Sequence, residues 1–496
     1  MMLNGYSKKI IIIGLPGLSI NTLNIWSNAF STLNELKNNG SYGILQSVYP
    51  LISPTIWASL ITGTYPNKHG IIEYCIFDNG KKRNLTARDL RVPPVWRLLN
   101  IRGLKAGIVN IPFTYPPDMI NGFILSGYVG SHEKIASYPP DLAVLLDKKF
   151  HIKELYKNIT WYKPHNELKF INSIINITEK EGEILSYLIR NFDWDVLITS
   201  FFFIEEVFHY LWFYIYKNNL EYKNVIFIKN KVFNLFKIID DVIKNIASNI
   251  DENTGILIIS PYEIQPLYGT IFLNHLLYDT GLLVFKNSTR TMLKRLIYEK
   301  IPLPDKLLRM IYDKFPRTRL NISDVDWHRS IAYSTGWIGQ IYINKKLIKN
   351  NTNYNALINY IALLITKKVN DINEGNIIEK MLKKEDIIPN LSYGPDLYLL
   401  PKDFRYVSYG CGAAGDESFA DFGPKLQKVI MYPPFNYQSA WHRMTGFIIA
   451  YGSFFKFKYE LNRIVNIVDI VPTILHIFNI PIPEYIDGNI IAEFFK

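Results

Sequence analysis

The sequence contains little cysteine, with only Cys75 and Cys411 among its 496 residues. Two cysteines cannot build a disulfide framework or a cysteine-based zinc site. We therefore expect a cytoplasmic protein. The first apolar run, Ile10 to Ile13, agrees with this expectation, because it is too short for the hydrophobic region of a signal peptide or for a membrane span.

The sequence also lacks long apolar segments and runs of basic residues. Its most aromatic stretch, Phe201 to Tyr216, is interrupted by Glu205, Glu206 and His209, which is unlike a membrane helix. Lys and Arg outnumber Asp and Glu by 55 to 44, but they are scattered rather than gathered into a basic-aromatic stripe. The net charge of +11 favours anionic ligands, whereas nucleic acid is not expected as a partner.

Alternating strand and helix patterns predict the fold class. Hydrophobic residues make up 48% of the chain, which is enough for a large core. Short runs rich in branched residues alternate with helical patterns, as in an α/β fold whose doubly wound, mostly parallel sheet has helices on both faces. Such sheets bind ligands at the carboxyl ends of their strands. The predicted strands are Ile10–Gly14, Lys105–Val109, Val196–Thr199, Ile256–Ser260 and Gly446–Tyr451.

Neither an internal repeat nor a low-complexity linker interrupts this pattern, so we expect a single α/β domain over residues 1–496. Length and composition would also allow two smaller domains. The stretch at about residues 286–320 is basic and helical in pattern, and it is predicted to be an insertion or cap over the core.

Ser53 stands at the start of a predicted helix. The letters SPTIWASL at 53–60 predict a helix with Ser53 as N-cap and Pro54 in its first position. A Ser-Pro helix start needs no catalytic explanation. A hydroxyl at a helix N-terminus is nevertheless well placed for a phosphate group, so this segment alone leaves both interpretations open.

Three further side chains are candidate metal ligands. Glu205 and His209 are four residues apart, which places them on one side of a helix, and His442 precedes the last predicted strand. A helix-surface pair or a buried core histidine would explain the same residues without a metal. Together, the three residues would form a site with two histidines and one carboxylate, suited to zinc or another divalent ion.

These segments resemble the type I phosphodiesterase and nucleotide pyrophosphatase family of the alkaline phosphatase superfamily. The segment SPTIWASLITGTYPNKHGI at 53–71 is similar to the family's nucleophile segment. The resemblance implies an alkaline-phosphatase-like α/β fold with cap insertions. Further matches are VPPVWRLLN at 92–100, NIPFTYPP at 110–117, DVDWHRSIAYSTGWIGQIYIN at 324–344, GPDLYLLP at 394–401 and DIVPTILHIFNIPIPEYIDG at 469–488.

The resemblance also implies roles for individual residues. Members of this family use two divalent metals, usually zinc, and a Thr or Ser nucleophile that forms a phosphoryl-enzyme intermediate. By position, the nucleophile is Ser53, a serine where this branch generally has threonine. One metal site of the family corresponds to Glu205, His209 and His442, with glutamate in place of aspartate.

The other metal site of the family does not match this chain. Its ligands are an aspartate in the turn after the first strand and an adjacent Asp-His pair after a later strand. This sequence has Pro16 in the first turn and Pro261-Tyr262 in the second. Proline carries no donor atom, and neutral tyrosine is a poor replacement for imidazole.

Four other side chains in these regions carry a carboxylate or an imidazole. Glu263, which follows the second turn, and the pair Asp240-Asp241 could replace a lost carboxylate. His69 belongs to the HGI turn of the resemblance, where a structural role is expected. Without such a replacement, the loss of one metal should remove several kcal/mol of transition-state stabilisation.

These observations predict a catalytically impaired relative that holds one divalent metal, zinc or manganese. It would bind a phosphate ester, a nucleotide or an anionic glycan, or act as a protein partner. The alternative is an active, divergent one-metal phosphodiesterase or phosphatase that uses Ser53 as nucleophile.

Overall fold

The structure is a computed structural model that describes residues 8–78, 81–127, 135–163, 165–216, 225–299, 320, 322–348, 351–372, 377–389, 391, 393–409, 430–431 and 439–496. Most of the insertion predicted at about residues 286–320 lies outside the described residues and stays a prediction, and Cys411 lies outside them too. Within the described ranges, no helix combines the length and the apolar character needed to cross a membrane.

Strands and helices alternate along much of the chain, as the sequence predicts. The described strands are β1 (Lys9–Gly14), β2 (Ser41–Gln46), β3 (Cys75–Asp78), β4 (Lys81–Asn84), β5 (Ala106–Val109), β6 (Gly122–Leu125), β7 (Ser137–Tyr138), β8 (Val196–Ser200), β9 (Thr254–Ser260), β10 (Glu263–Pro266), β11 (Gly269–Phe272), β12 (Ala332–Ser334), β13 (Gln340–Ile343), β14 (Ile378–Lys383), β15 (Leu397–Pro401), β16 (Tyr406–Tyr409), β17 (Ile430–Met431), β18 (Ala440–Arg443), β19 (Thr445–Tyr451), β20 (Tyr459–Glu460) and β21 (Val465–Asn466).

The described α-helices vary from one turn to 25 residues. They are α1 (Ile20–Ile25), α2 (Ser31–Asn39), α3 (Ser53–Thr62), α4 (Pro66–His69), α5 (Val95–Ile101), α6 (Pro140–Phe150), α7 (Ile152–Lys157), α8 (Glu167–Asn191), α9 (Ile204–Tyr216), α10 (Val225–Ser248), α11 (Leu273–Asp279), α12 (Thr289–Glu299), α13 (Asn351–Ile372), α14 (Lys384–Ile387) and α15 (Ile470–Ile477).

Contacts between these elements divide the chain into two compact units. The first comprises Met1–Ile72, Asn84–Gln265 and Tyr437–Lys496, and the second comprises Glu73–Arg83 and Pro266–Asn436. In the second unit, β12, β13, β15 and β14 form a sheet in that order. All four site residues predicted from the sequence belong to the first unit.

The first unit is built on a ten-stranded sheet with the order β20-β2-β19-β9-β1-β8-β5-β6-β7, and β21 also pairs with β2. The central pairs, β1 with β8 and β9 and β5 with β6 and β8, are parallel. Residues Ile10 to Ile13 of β1 are at most 1% exposed, as expected for a parallel strand buried on both faces. The predicted mostly parallel α/β sheet is therefore confirmed, and each of the five predicted strands forms.

The strand β2 was not predicted from the sequence. It pairs antiparallel with β19, and its side chains alternate between buried and more exposed positions rather than forming a continuous apolar run. Its central Gly43 packs against Leu461, where an added Cβ atom would lie 2.5 Å from the Leu461 Cδ1 atom. Glycine is normally a weak strand residue, and here it is required by this close approach.

The parallel register brings three chain segments to one edge of the sheet. Gly14 at the end of β1 lies beside Ser200 at the end of β8 and Ile259 near the end of β9. The turns after β1 and β9 are joined by backbone hydrogen bonds, from Gly17 N to Tyr262 O at 3.0 Å and from Ile264 N to Gly17 O at 3.2 Å. The start of α9 follows β8 at the same edge, so ligand side chains from these segments can meet there.

Helix α8 carries a buried carboxyl group of the first unit. Glu181 on α8 is 5% exposed; its Oε1 atom accepts a 3.0 Å hydrogen bond from the Tyr156 hydroxyl, and its Oε2 atom has no partner among the described residues. Burial raises the pKa of Glu181 to about 8, and the bond from Tyr156 offsets this effect only in part. Glu181 is therefore mainly protonated in the folded chain at neutral pH.

We expect Glu181→Gln to make the protein more stable in alkaline solution. Between the ordinary pKa of 4.5 and about pH 8, the folded chain keeps a proton that the unfolded chain has released. The free energy of unfolding therefore falls as the pH rises through this interval, and Gln removes this dependence. The variant should gain on the order of a few kcal/mol over the wild type at high pH.

Urea denaturation of both proteins at a series of pH values measures this difference. Other titrating groups contribute equally to both proteins, so the difference isolates Glu181. A difference that stays constant from acidic to alkaline pH would contradict a protonated, buried Glu181.

Candidate metal centre

Ser53 begins helix α3, but it does not cap the helix as predicted. The N-cap position is Ile52, and no side chain forms a capping hydrogen bond. The Ser53 hydroxyl instead lies 3.0 Å from Glu205 Oε1 and 2.9 Å from the Tyr262 hydroxyl. A hydrogen bond to a carboxylate is stronger than one to a neutral group, which explains why this buried hydroxyl turns away from the helix backbone.

The structure brings the three predicted metal ligands together. Helix α9 carries Glu205 and His209 one turn apart, and the short strand β18 carries His442. The Nε2 atom of His442 lies 2.6 Å from Glu205 Oε1, and that of His209 lies 3.3 Å from the same atom. All three side chains are buried, which excludes the interpretation of Glu205 and His209 as a helix-surface pair.

Backbone carbonyl groups orient both imidazole rings. The Nδ1 atom of His209 donates to Ala440 O at 2.8 Å, and that of His442 donates to Leu51 O at 3.1 Å. A neutral histidine with its proton on Nδ1 presents a lone pair at Nε2, so both Nε2 lone pairs point at the Glu205 carboxylate. Three such acceptors need either a metal ion or a proton between them. Without a metal, a protonated histidine donates to Glu205 from Nε2, and with neutral rings the three atoms can hold a metal ion, as is typical of carbonyl-bound histidines in metal sites.

The donor set fits one divalent metal ion. One oxygen of Glu205 and one nitrogen of each histidine lie within 4.8 Å of one another. Among the described residues, Glu205, His209 and His442 are the group of His, Cys, Asp or Glu side chains whose ligand atoms are close enough together to hold a metal ion. Two imidazoles and a carboxylate suit zinc and also manganese, and they leave further coordination positions for a ligand.

The surroundings keep Glu205 ionised. Burial by itself would raise the pKa of Glu205, but hydrogen bonds from His209 and His442 outweigh that effect and lower the pKa below its ordinary value. For His209, burial lowers the pKa and Glu205 raises it, with a net rise. For His442, burial prevails over Glu205 and the pKa is lowered. An ionised carboxylate beside a readily neutral imidazole is the form that binds a cation.

Tyr262 is a site residue that the sequence-based prediction left out. It is fully buried, and its hydroxyl donates to Glu205 Oε2 at 2.7 Å while lying 2.9 Å from Ser53 Oγ. Its ring lies against His442, with a centroid distance of 4.3 Å. The available signal was its position directly after β9, at a place where the family pattern has a metal ligand.

The carboxylates considered as replacements have other partners. Glu263 lies 3.7 Å from Arg443 and accepts a 3.4 Å hydrogen bond from Thr445. Asp241 forms an exposed ion pair with Lys237 at 3.3 Å. The structure therefore gives no support to the hypothesis that Glu263 or Asp241 restores the lost ligand set.

Asp240 is engaged in the fold of the first unit. This buried residue on α10 accepts hydrogen bonds of 2.9 Å from the backbone amides of Thr32 and Leu33, and one of 3.2 Å from Ser31 Oγ. These donors form the first turn of α2, which has no capping side chain of its own. Asp240 thus caps α2 from a distant part of the chain.

His69 has the structural role that the sequence predicts. Its Nδ1 atom accepts a 3.0 Å hydrogen bond from Ile71 N, and its Nε2 atom lies 2.9 Å from Ser59 Oγ. Burial lowers the pKa of His69 to about 3, so the ring is neutral. Both nitrogen atoms are therefore used in holding α3 to the turn after α4.

The family model named "Type I phosphodiesterase / nucleotide pyrophosphatase" matches residues 10–410. The chain belongs to this family. The resemblance seen in the sequence motifs is thereby confirmed. The matched region includes Ser53, Glu205 and His209, whereas His442 lies beyond its end.

Curated relatives in this family match shorter stretches. The venom phosphodiesterase of Macrovipera lebetinus is 29% identical over 113 residues, which are 21% of this chain and 13% of the relative. Ectonucleotide pyrophosphatase/phosphodiesterase family member 1 of Homo sapiens is 25% identical over 163 residues, which are 29% of this chain and 17% of the relative. These matches therefore span only a small part of the relatives' own length.

Solved structures resemble almost the whole chain. Human ectonucleotide pyrophosphatase/phosphodiesterase 5 has a TM-score of 0.54 at 11% identity, covering 97% of both chains. An inactive form of the murine counterpart, solved in complex with AMP, has a TM-score of 0.51 at 11% identity, covering 96% of both chains. At this identity the likeness shows the fold alone, and it confirms the alkaline-phosphatase-like α/β class.

We expect Asp240→Asn to destabilise the fold without changing metal binding. The two backbone donors bind different oxygens of Asp240, so one of them would face the NH2 group of Asn, and the variant should lose about 1–3 kcal/mol of stability. Urea denaturation measures this loss, and metal analysis of the purified variant measures its ion content. A lower metal content at unchanged stability would instead place Asp240 in the metal centre.

Proposed function

We propose that this protein is a one-metal member of the type I phosphodiesterase family that binds a phosphate ester and hydrolyses it poorly. One observation supports this proposal above others. The site gathers a complete ligand set in Glu205, His209 and His442, while the second set of the family is replaced by Pro16, Pro261 and Tyr262. The family is metal-dependent, and the number of ions is the feature in which this chain would differ.

The three ligands and Ser53 define what the site can do. A divalent cation held by Glu205, His209 and His442 would supply positive charge for an oxygen of a bound phosphate ester. Ser53 lies in the same buried cluster, with its hydroxyl proton directed at Glu205 or at Tyr262. The site therefore combines an anion-binding centre with an alcohol.

The weak point of this site is the activation of Ser53. A serine hydroxyl is a poor nucleophile until a base or a metal takes its proton. The carboxylate nearest to Ser53 is Glu205, whose lowered pKa makes it a weak base. With a tyrosine hydroxyl beside Ser53 and no second ligand set among the residues that the structure describes, the barrier to attack on phosphorus should be several kcal/mol higher than with two metals.

A nucleotide or a related phosphate ester is the ligand class we propose. The net charge of +11 favours an anion, and an anionic glycan would satisfy the same charge requirement. The similar murine structure holds AMP, which supports the nucleotide. We further propose that the protein acts in the cytoplasm, on the basis of its low cysteine content.

The second candidate function is that of an active, divergent one-metal phosphodiesterase or phosphatase. The retained nucleophile favours it, because the Ser53 hydroxyl lies 3.0 Å from a carboxylate oxygen within the buried cluster. In that case Ser53 would attack phosphorus as its proton passes to Glu205, the bond from phosphorus to the leaving alcohol would break, and the alcohol oxygen would take up that proton. Water would then hydrolyse the phosphoserine and free Ser53. Hydrolysis by the unmodified protein distinguishes the two candidates.

Metal analysis should find at most one equivalent of zinc or manganese in protein purified without chelators. His209→Ala and His442→Ala should each abolish this binding, because each removes one of three ligands. His328→Ala is the matched control, since His328 is an exposed histidine that is not one of the three ligands. Two tightly bound ions per chain, or binding that survives both histidine substitutions, would contradict the proposed centre.

The family's second ligand set can be restored with Pro16→Asp, Pro261→Asp and Tyr262→His together. We expect hydrolysis of a chromogenic phosphodiester to rise on the order of 100-fold or more over the wild type, since a second metal would then activate Ser53. The single variant Tyr262→His is the control and should gain little, because both prolines still lack donor atoms.

Ser53→Ala in the triple variant should remove the gained activity. Brisk hydrolysis by the wild type that Ser53→Ala abolishes would establish the active one-metal enzyme instead. A triple variant that binds a second metal and still shows no hydrolysis would argue that the scaffold no longer supports the reaction.

A further inference from the structure

The oxygen atoms of Ser53, Tyr262 and the metal ligand Glu205 form a triangle of contacting side chains. The Tyr262 hydroxyl lies 2.7 Å from Glu205 Oε2 and 2.9 Å from Ser53 Oγ, and Ser53 Oγ lies 3.0 Å from Glu205 Oε1. Each residue is 3% exposed or less. Water is therefore largely excluded, and the hydrogen bonds within this triangle must be made by its own members.

Counting protons limits how the triangle can be arranged. Tyr262 and Ser53 bring one hydroxyl proton each, whereas four contacts lie within hydrogen-bond distance, the longest being that of 3.4 Å from Ser53 Oγ to Glu205 Oε2. The carboxylate can only accept, and the contact between Tyr262 and Glu205 Oε2 is the shortest, so the Tyr262 proton lies there. The Ser53 proton can then point either at Glu205 Oε1 or at the Tyr262 oxygen.

The second choice leaves Glu205 Oε1 without a hydroxyl proton. In that arrangement, Ser53 donates to Tyr262 and Tyr262 donates to Glu205 Oε2. The Oε1 atom is the oxygen on which the Nε2 atoms of His209 and His442 converge. The two oxygens of Glu205 then have different partners. Oε2 accepts the hydrogen bond from Tyr262, and Oε1 remains for a metal ion.

Tyr262 is held firmly enough to maintain this separation. Its backbone oxygen accepts hydrogen bonds from Gly17 N at 3.0 Å and from Ser260 Oγ at 2.9 Å. Its ring is fully buried against His442. Gly446 packs so tightly on this turn that an added Cβ atom would lie 1.9 Å from Ser260 O and 3.0 Å from Tyr262 N.

We propose that Tyr262 is a positioning residue of the metal centre: its hydroxyl donates a hydrogen bond to Glu205 Oε2, leaves Oε1 for the cation and accepts a hydrogen bond from Ser53. This inference rests on the proposed one-metal function and deepens it. Because the same hydroxyl lies 2.9 Å from Ser53, it also fills space next to the nucleophile that a second cation would need. Tyr262 thus favours a centre with one ion.

The test is the metal affinity of Tyr262→Phe, measured by zinc titration against a competing chelator and by manganese titration. Phe keeps the ring and removes the hydroxyl, so Glu205 loses the group that orients it, and affinity should fall about 10- to 100-fold. Tyr216→Phe is the matched control, because that hydroxyl lies on α9 and bonds to Thr22 rather than to Glu205. It should bind metal like the wild type.

Ser53→Ala provides a second, independent variant. It removes the Ser53 proton but leaves the bond from Tyr262 to Glu205, so affinity should stay within about threefold of the wild type. A tenfold or greater loss in Ser53→Ala would show that Ser53 itself orients Glu205, which would overturn the assigned hydrogen-bond arrangement. Circular dichroism of the metal-free proteins shows whether Tyr262→Phe is folded. If it is not, Ser53→Ala still tests the inference.

The outcomes separate this inference from the proposed function. A wild type that binds no metal would overturn both. A wild type that binds one ion, together with a folded Tyr262→Phe of equal affinity, would overturn the role of Tyr262 and leave the one-metal function standing.

Discussion

A buried carboxylate is the constraint on which this site depends, because a charge removed from water must be matched by donors or by a cation. Glu205 is matched by the rings of His209 and His442 and by the hydroxyls of Ser53 and Tyr262. These side chains come from α9, β18, α3 and the turn after β9. They can converge only when the parallel register of β8, β1 and β9 is formed, so the site and the sheet stabilise each other.

The uncharged residues in the turns after β1 and β9, where we propose that a second metal site is missing, are consistent with the same constraint. Two buried carboxylates near Glu205 would repel it and would need a further cation. Pro16, Pro261 and Tyr262 are uncharged, so the turns that carry them can pack without one. Backbone hydrogen bonds between Gly17 and Tyr262 join these turns directly. The proposed absence of a second ion is consistent with turns that are held together by backbone hydrogen bonds.

Sequence patterns predicted the strands and helices whose formation depends mainly on residues close together in the chain. The continuous apolar runs of β1 and β9 identify buried parallel strands, and the spacing of Glu205 and His209 follows from the helical period. Patterns of this kind did not find β2, whose Gly43 is explained by contact with Leu461. They also suggested that Ser53 caps its helix and that Asp240 might serve as a ligand, since a pattern does not show which distant partner a polar side chain meets.

By itself, the sequence determined the family, the α/β class, the identity of the candidate nucleophile and the three candidate ligands, because these are properties of local motifs and of residue type. Only the tertiary structure decided that His442, which is 237 residues from Glu205, reaches the same carboxylate oxygen. It also decided that Tyr262 takes the other oxygen and that Asp240 caps α2. The physical reason is that such contacts depend on strand register and on burial, which bring distant segments together and leave each polar atom a small choice of partners.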